Sequence, residues 1–285
     1  MIKLIASDMD GTLLNSNHTI SDGNIKAIRK AQELGVKFTI ATGRSYDQVK
    51  HIADKFNLNC EFILMNGAEY RNNHGEILES ITIDKEKLKD IIETMEKEDL
   101  CVEIFSSNGI LTSDYDKAKA ALEDRVRTFN SEKSEEEIQK ILKEFICNRN
   151  IKTFNSINEL IDGKIEIYKV LTFNKDTELI KRVKEKLKKI PGLAVASTFD
   201  NDIEINDIKA QKGLILADIA EKMGLERDEV MPIGDSFNDY SMFTEFKNAC
   251  AMGNGIPEIK ELAGFITDTN DNDGVAKAIY KALNI

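Results

Sequence analysis

Residues 2–12 read IKLIASDMDGT, and this stretch decides the fold. Residues 2–7 form an apolar run that is too short for a helix and has the aliphatic, partly β-branched composition of a buried strand. The run ends at Asp8, where a polar turn containing Gly11 begins. The sequence therefore predicts a first strand that ends at Asp8.

Two further strands and two helices follow this stretch. Ser21 caps an amphipathic segment that Gly35 closes, which predicts a helix between them. A second helix is predicted over 45–56, and strands are predicted at 36–41 and 61–65. Such alternation is typical of a parallel sheet with crossover helices, in which the strands are buried on both faces.

The same alternation returns near the end of the chain. A helix begins near Gln211 and is followed by short apolar runs at 229–234, 250–253 and 265–267, which predict the second half of the same sheet. Between the two halves, the strands alternate polar and apolar side chains and are interleaved with charged helices, as in an antiparallel α+β sheet covered on one side. The expected organisation is an α/β core formed by residues 1–83 and 208–285, with an α+β domain inserted at residues 84–207.

Composition excludes several classes of protein. The chain has 285 residues, of which 41% are hydrophobic, and a formal net charge of −11, so it can form a core but repels nucleic-acid phosphates. No apolar run approaches the roughly 18 residues of a membrane span, and neither a targeting segment nor an obligate protein partner is expected. The cysteines are widely spaced, which predicts reduced thiols in a cytoplasmic protein. They are Cys60, Cys101, Cys147 and Cys250.

Asp8 and Asp10 are the first candidate site residues, because ligands of open α/β sheets bind at the carboxyl ends of the strands. Two carboxylates in one turn repel each other and favour a bound cation, and Mg²⁺ prefers such oxygen ligands together with phosphate and water. The alternative is a turn with solvated carboxylates.

Three other strand ends or helix starts carry related chemistry. Thr42 and Gly43 follow the second strand, where a hydroxyl and backbone N–H groups can bind an anion. A lysine at the start of the later helix can neutralise a phosphoryl oxygen, and spacing leaves both Lys209 and Lys212 open. Asp235 and Asp239, which follow the strand at 229–234, are candidate metal ligands. Each feature has an alternative as ordinary turn chemistry, but their combination is specific.

The four motifs resemble those of the haloacid dehalogenase superfamily. They are Asp8-Met9-Asp10-Gly11-Thr12, Thr42-Gly43-Arg44, Lys212-Gly213 and Gly234-Asp235 through Asp239. The large insertion between the second and third motifs, together with Asn66-Gly67-Ala68 near the third strand, is similar to the Cof-type (class IIB) hydrolases. The usual lead-in to the motif lysine is replaced here by Lys209-Ala210-Gln211. The resemblance implies a Rossmann-like parallel-sheet core with an inserted α+β cap domain that sets substrate specificity.

The resemblance also implies a mechanism. Asp8 would be the nucleophile and Asp10 the acid and base, while the phosphoryl group would be bound by Thr42, Gly43, Lys212 and Asn238. Mg²⁺ would be held by Asp8, the backbone carbonyl of Asp10, Asp235 and Asp239.

The expected function is a Mg²⁺-dependent phosphatase of a small phosphorylated metabolite, with sugar phosphates as the leading class. A phosphomutase uses the same aspartyl phosphate and is the alternative. A non-catalytic sensor of phosphorylated metabolites is a third hypothesis, which the presence of both Asp8 and Asp10 disfavours.

Overall fold

A computed structural model describes residues 1–147 and 151–285, except for the side chains at positions 144, 145 and 147. The strands are β1 (Leu4–Ser7), β2 (Lys37–Ala41), β3 (Glu61–Leu64), β4 (Glu69–Arg71), β5 (Ile77–Ser80), β6 (Glu103–Ser106), β7 (Gly109–Thr112), β8 (Ile151–Thr153), β9 (Ile167–Phe173), β10 (Leu193–Ala196), β11 (Asp202–Asp207), β12 (Val230–Gly234), β13 (Cys250–Ala251) and β14 (Phe265–Ile266). The helices are α1 (Asp22–Glu33), α2 (Tyr46–Lys55), α3 (Lys85–Glu96), α4 (Tyr115–Phe129), α5 (Glu135–Cys147), α6 (Ile157–Asp162), α7 (Thr177–Leu187), α8 (Lys212–Lys222), α9 (Tyr240–Glu245), α10 (Pro257–Leu262) and α11 (Gly274–Leu283). Short 3₁₀ turns lie at Met65–Gly67, Arg227–Glu229, Phe237–Asp239 and Asn270–Asn272.

The chain divides into two compact units. We call Met1–Ser80 together with Lys209–Ile285 the core unit, and Ile81–Ile208 the inserted unit. The junctions expected from sequence lie after residues 83 and 207, close to these boundaries.

The core unit contains a sheet with the strand order β14-β13-β12-β1-β2-β3-β4-β5. The strands from β14 to β3 pair in parallel, so the predicted α/β class is confirmed. β1 lies between β12 and β2, and all four of its residues are buried. As a result, the carboxyl ends of β12, β1 and β2 are neighbours at one edge of the sheet.

The hairpin formed by β4 and β5 was not predicted. β4 pairs antiparallel with both β3 and β5, and a register shift interrupts its pairing with β5 at Tyr70 and Arg71. The strands have three and four residues, and β5 is largely exposed, so neither shows the buried apolar run by which the other core strands are found.

Ser21 begins α1 as expected, because its hydroxyl accepts a hydrogen bond from the Asn24 backbone N–H at 3.1 Å. Asn24 is itself buried, and its side-chain oxygen accepts a hydrogen bond from the Ala276 N–H in α11 at 2.9 Å. The buried apolar side chains of β1, β2, β3, α1, α2 and α11 form one cluster. Burial of each large aliphatic side chain contributes about 1.5–3 kcal/mol, which makes this cluster the main stabilisation beneath the strand ends.

The inserted unit contains a second sheet, with the strand order β10-β11-β9-β6-β7-β8. Its pairings are antiparallel except for the parallel pair of β7 and β8. An apolar cluster joins this sheet to α3 and α7. In α7, Val183 and Leu187 are buried while most of the basic side chains are exposed, so this charged helix presents a solvated basic face.

The expected exposure of the polar face of β11 is wrong. Asp202, Glu204 and Asn206 are buried although they alternate with the apolar residues of the strand. Two of them have good partners: Lys169 Nζ lies 2.6 Å from Glu204 Oε1, and the Asn206 amide donates to the Tyr168 carbonyl oxygen at 2.8 Å. Buried polar groups are tolerated when they are paired in this way.

The described residues bear on two properties expected from composition, namely the absence of membrane-spanning helices and the state of the cysteines. No helix within them is both long and apolar enough to cross a membrane. Cys60, Cys101 and Cys250 carry free thiols. The side chain of Cys147 lies outside the described part of the chain.

Asp202 generates a prediction about pH. Its burial, followed by repulsion from Glu204, raises its pKa from 3.8 to about 6. The folded protein therefore holds a proton that the unfolded chain releases, and this contribution to stability is complete below pH 3.8 and is lost as the pH rises through about 6. We expect the free energy of unfolding of the wild type, relative to Asp202→Asn, to fall by about 1–3 kcal/mol between pH 4 and pH 7.5. Urea unfolding of both proteins measures this difference, and identical pH dependence in the two would contradict it.

Candidate active site

Asp8 stands at the carboxyl end of β1, in the turn that opens the first motif. Its N–H donates to the carbonyl oxygen of Ile233 in β12 at 2.9 Å, which continues the parallel ladder past the end of the strand. The side chain is buried. Gly11, with φ of 79°, makes the turn, and a Cβ there would lie 2.5 Å from Oδ2 of Asp235. The turn therefore brings the first motif against the fourth and requires glycine at this position.

Lys212 is fully buried and lies between two carboxylates. Its Nζ is 2.6 Å from Asp8 Oδ1 and 2.7 Å from Asp239 Oδ1. Lys209, which spacing alone left open as an alternative, is exposed. The structure therefore brings Lys212, and not Lys209, to the end of β1.

Asp235 and Asp239 lie in the turn that follows β12. Asp239 Oδ2 accepts hydrogen bonds from the backbone N–H groups of Asp235 at 2.9 Å and Ser236 at 3.1 Å. Asp235 Oδ1 accepts the Thr12 hydroxyl at 2.8 Å. Asp8, Asp235 and Asp239 each present a carboxylate oxygen, and these three oxygens lie within 4.8 Å of one another.

The electrostatics of this cluster favour a cation. Burial raises the pKa of Asp8 well above 3.8, and repulsion from Asp239, Asp235 and Asp10 adds to this effect, although Lys212 opposes it. Burial and repulsion from Asp239 likewise raise the pKa of Asp235 to about 7. Burial lowers the pKa of Lys212, but Asp239 and Asp8 outweigh this effect, so the lysine stays charged. Clustered carboxylate oxygens whose ionised forms are disfavoured are suited to a hard divalent cation, so the residues fit a metal site.

The Asp10 side chain is not part of this group of three carboxylates. Both of its oxygens contact Arg44, with Nε at 2.8 Å from Oδ2 and Nη2 at 2.5 Å from Oδ1. This is a two-point guanidinium–carboxylate pair, which fixes the orientation of a carboxylate more firmly than a single contact. Because the Asp10 carboxylate is paired with Arg44, the metal ligand expected at this residue is its backbone carbonyl oxygen, which lies in the turn.

Thr42 follows β2 and is buried. Its hydroxyl oxygen accepts the Arg44 N–H at 3.2 Å, which turns the chain at Gly43 into the start of α2. Asn238, in the 3₁₀ turn after β12, accepts the Ser236 hydroxyl at 2.8 Å. The candidate phosphate-binding residues are thus placed after β2, after β12 and at the start of α8.

Three contacts of the site were not predicted. The sequence motif contains Arg44, but nothing in its spacing indicated that it binds Asp10. Thr12 likewise belongs to a quoted motif, and its contact with Asp235 joins residues far apart in sequence. Asn254 donates to the Gly11 carbonyl oxygen at 2.7 Å and could have been found only from the tertiary structure.

A parallel α/β core with a buried lysine between strand-end carboxylates places a charged site where open α/β sheets bind their ligands. The chain matches the family model for haloacid dehalogenase-like hydrolases over residues 5–279. It therefore belongs to that family, which confirms the resemblance seen in the motifs, and it is a hydrolase of phosphoric monoester bonds.

Relatives over the full length agree with this membership. Phosphatase YwpJ of Bacillus subtilis is 32% identical over 99% of this chain and 100% of its own length. 5-Amino-6-(5-phospho-D-ribitylamino)uracil phosphatase YwtE of the same organism is 33% identical, with 99% of each chain covered. The solved structure of a haloacid dehalogenase-like hydrolase from B. subtilis superposes with a TM-score of 0.87 at 31% identity, covering 98% of this chain and 99% of that one.

The two lysines allow a test of the electrostatic arrangement. Lys212→Met leaves Asp8 and Asp239 buried without their cation, so we expect a loss of about 3–5 kcal/mol in the free energy of unfolding. Lys209→Met alters an exposed side chain and should change it by no more than about 0.5 kcal/mol. Urea unfolding in EDTA measures both values. Equal effects of the two substitutions would show that Lys212 does not carry the charge balance of the site.

Proposed function

We propose that this protein is a Mg²⁺-dependent phosphatase that hydrolyses a small-metabolite phosphomonoester, with sugar phosphates as the leading class, through an aspartyl phosphate on Asp8. The observation that carries the proposal is the buried contact of 2.6 Å between the Asp8 carboxylate and the Lys212 ammonium. A carboxylate approaches a phosphate dianion only where positive charge offsets their repulsion, and Lys212 supplies such a charge beside the attacking atom.

In the first step, an Asp8 oxygen forms a bond to phosphorus while the bond between phosphorus and the ester oxygen breaks. Protonated Asp10 gives its proton to that oxygen, so the product leaves as an alcohol. In the second step, Asp10 removes a proton from the water that attacks phosphorus, and the bond between Asp8 and phosphorus breaks to release phosphate. One difficult displacement is thereby divided into two easier ones.

The contact with Arg44 supports this role for Asp10. Arg44 contacts both carboxylate oxygens of Asp10 and so holds the ionised carboxylate in a fixed orientation, as is needed when Asp10 takes a proton from water in the second step. For the first step the proton must reside on Asp10, so the contact must loosen as the leaving group arrives. We expect Arg44 to act on Asp10 and not on the phosphoryl group itself.

The phosphoryl oxygens would be bound by Thr42, Gly43, Lys212 and Asn238. The Thr42 hydroxyl oxygen already accepts a hydrogen bond from Arg44 N–H, so its own hydrogen is available to a phosphoryl oxygen. Gly43 adds a backbone N–H near the start of a helix, where anions are favoured.

Asp8, Asp235, Asp239 and the backbone carbonyl of Asp10 would hold Mg²⁺. When bound, Mg²⁺ offsets the charge of the phosphoryl oxygens and lets the carboxylates of the site ionise together. Within the cluster, Asp239 already contacts Lys212 and two backbone N–H groups, which suits it to orient the other ligands or to reach the ion through water.

The proposed substrate class rests on the relatives. YwtE is named for a substrate whose phosphate is carried on a ribityl chain, a sugar alcohol. A second B. subtilis relative, YcsE, is named for the same substrate and is 30% identical to this chain. We propose that this chain likewise takes a phosphorylated sugar or sugar alcohol. We also propose that residues of the inserted unit select the leaving group.

Binding of Mg²⁺ to the folded protein can be tested without measuring turnover. A ligand that binds only the folded state stabilises it by about 2.7 kcal/mol at a hundredfold excess over Kd, which corresponds to about 5 °C in Tm for a chain of this size. We expect Mg²⁺ to raise the Tm of the wild type by this amount and to have little effect on Asp235→Asn. Asp47→Asn, which alters an exposed carboxylate of the core unit, is the matched control and should respond like the wild type. An equal Mg²⁺ shift in Asp235→Asn would contradict the metal site.

The activity is tested by phosphate release from a panel of substrates in Mg²⁺. The panel should contain hexose and pentose phosphates, a 5-phosphoribityl compound, nucleotides, pyridoxal phosphate and FMN. We expect release from at least one sugar or sugar-alcohol phosphate, and a fall of at least about 10³-fold in kcat in Asp8→Asn, because that variant lacks the nucleophile.

Three outcomes would contradict parts of this proposal. Near wild-type turnover by Asp8→Asn would contradict the proposed aspartyl phosphate on Asp8. Transfer of the phosphoryl group to another hydroxyl of the same sugar, without free phosphate, would identify a phosphomutase. Binding of phosphorylated compounds without turnover of any of them would favour the hypothesis of a non-catalytic sensor of phosphorylated metabolites.

A further inference from the structure

The turn that follows β3 has an unusual backbone. Met65, Asn66 and Gly67 have φ values of 48°, 62° and 107°, so three successive residues lie in the left-handed region. A methionine is rare in this conformation, and all three residues are buried. Such strain persists only where the surrounding structure holds it, and it is concentrated at functional sites.

On one side, this turn is bonded to the phosphate-binding segment after β2. The Met65 N–H donates to the Arg44 carbonyl oxygen at 3.0 Å, and the Asn66 N–H donates to the Thr42 carbonyl oxygen at 3.0 Å. These two bonds flank Gly43. They form where the chain leaves β3, so the turn at Met65–Gly67 is held against the second motif by its own backbone N–H groups.

On the other side, the turn lies against the peptide that precedes Lys212. A Cβ on Gly67 would lie 2.8 Å from the carbonyl carbon, 2.9 Å from the oxygen and 3.0 Å from the nitrogen of Gln211. Gln211 is the residue before α8, whose first residue is Lys212. The three nearest atoms that such a Cβ would meet all belong to the backbone, so rotation of a side chain could not relieve these contacts.

The start of α8 is also fixed from its opposite side. The Gly213 N–H donates to the Ser241 hydroxyl at 2.9 Å, and a Cβ on Gly213 would collide with the Ser241 carbonyl oxygen. The first turn of α8 therefore contacts α9 as well as the turn at Met65–Gly67. A displacement on either side would move Lys212.

We infer that Met65–Gly67 is a positioning element that sets the spacing between Thr42 and Lys212, so that both bind the same phosphoryl group. It acts through its backbone, and its effect on the reaction passes through the residues on either side of it. This inference rests on the proposed function, which gives Thr42 and Lys212 a common ligand.

Gly67→Ala tests the inference, with Gly224→Ala as the matched control. Gly224 also has a positive φ, of 68°, but no atom lies within 4 Å of the position that its Cβ would take. Both variants place alanine at a positive φ, with the larger backbone cost at Gly67, whose φ is 107°, and only Gly67→Ala also presses on Gln211. We expect kcat to fall more than tenfold and the inhibition constant of inorganic phosphate to rise more than fivefold in Gly67→Ala. Both values should stay within twofold of the wild type in Gly224→Ala.

A merely structural role gives a different result. Gly67→Ala would then lower Tm while keeping the kcat and phosphate inhibition of the wild type at temperatures well below its Tm. That result would overturn the inference and leave the proposed function intact.

Substitutions of Asn66 provide a second test if Gly67→Ala does not fold. Asn66→Gly and Asn66→Ala both remove the side-chain amide, but only glycine adopts the left-handed backbone without strain. We expect Asn66→Gly to retain at least threefold more kcat than Asn66→Ala. Equal losses in the two variants would assign the effect to the side chain and overturn the inference.

The inference remains distinguishable from the proposed function. If the wild type hydrolyses nothing in the panel, the proposed function fails, and the increase in Tm caused by inorganic phosphate with Mg²⁺ becomes the measurement. Loss of that increase in Gly67→Ala, but not in Gly224→Ala, would support the spacing role. Equal increases in all three proteins, or none in the wild type, would overturn it.

Discussion

The burial of the Lys212 ammonium between the carboxylates of Asp8 and Asp239 is the interaction on which the rest of the site depends. A charged group without solvent is tolerated only with close partners of opposite charge. Those partners come from the turns after β1 and β12, and the lysine comes from the first residue of α8. The contact can form only because β1 and β12 are parallel neighbours whose carboxyl ends lie together.

Charge balance connects this contact with the chemistry. The site contains four carboxylates, on Asp8, Asp10, Asp235 and Asp239, and the cations that contact them include Lys212 and Arg44. When all of these groups are ionised, negative charge is in excess among them, and this repulsion adds to burial, the larger cause, in raising the pKa of Asp8 and Asp235. A divalent cation matches this excess, and an incoming phosphate dianion then meets a site that no longer repels it. In the proposed function, affinity for the metal and affinity for the substrate would thus have one electrostatic origin.

Local sequence predicted the core strands because buried parallel strands are short, continuous apolar runs that end in polar turns. The run at 2–7 and the one at 229–234 lie within a few residues of β1 and β12, and Ser21 is the observed cap of α1. The hairpin of β4 and β5 was missed because its strands are short and β5 is exposed. The polar residues of β11 were expected to be solvated, since their partners Lys169 and Tyr168 lie on another strand and alternation alone does not reveal them.

The amino-acid sequence by itself determined the family, the order of the core elements and the side chains placed at the strand ends, because apolar periodicity and short motifs are local properties of a chain. The tertiary structure decided between Lys209 and Lys212, joined Arg44 to Asp10 and placed the Met65–Gly67 turn against Gln211. These are contacts between segments far apart in sequence, and their selection depends on which carboxyl strand ends become neighbours and on which charges must be buried together. Neither condition can be read from the spacing of residues along the chain.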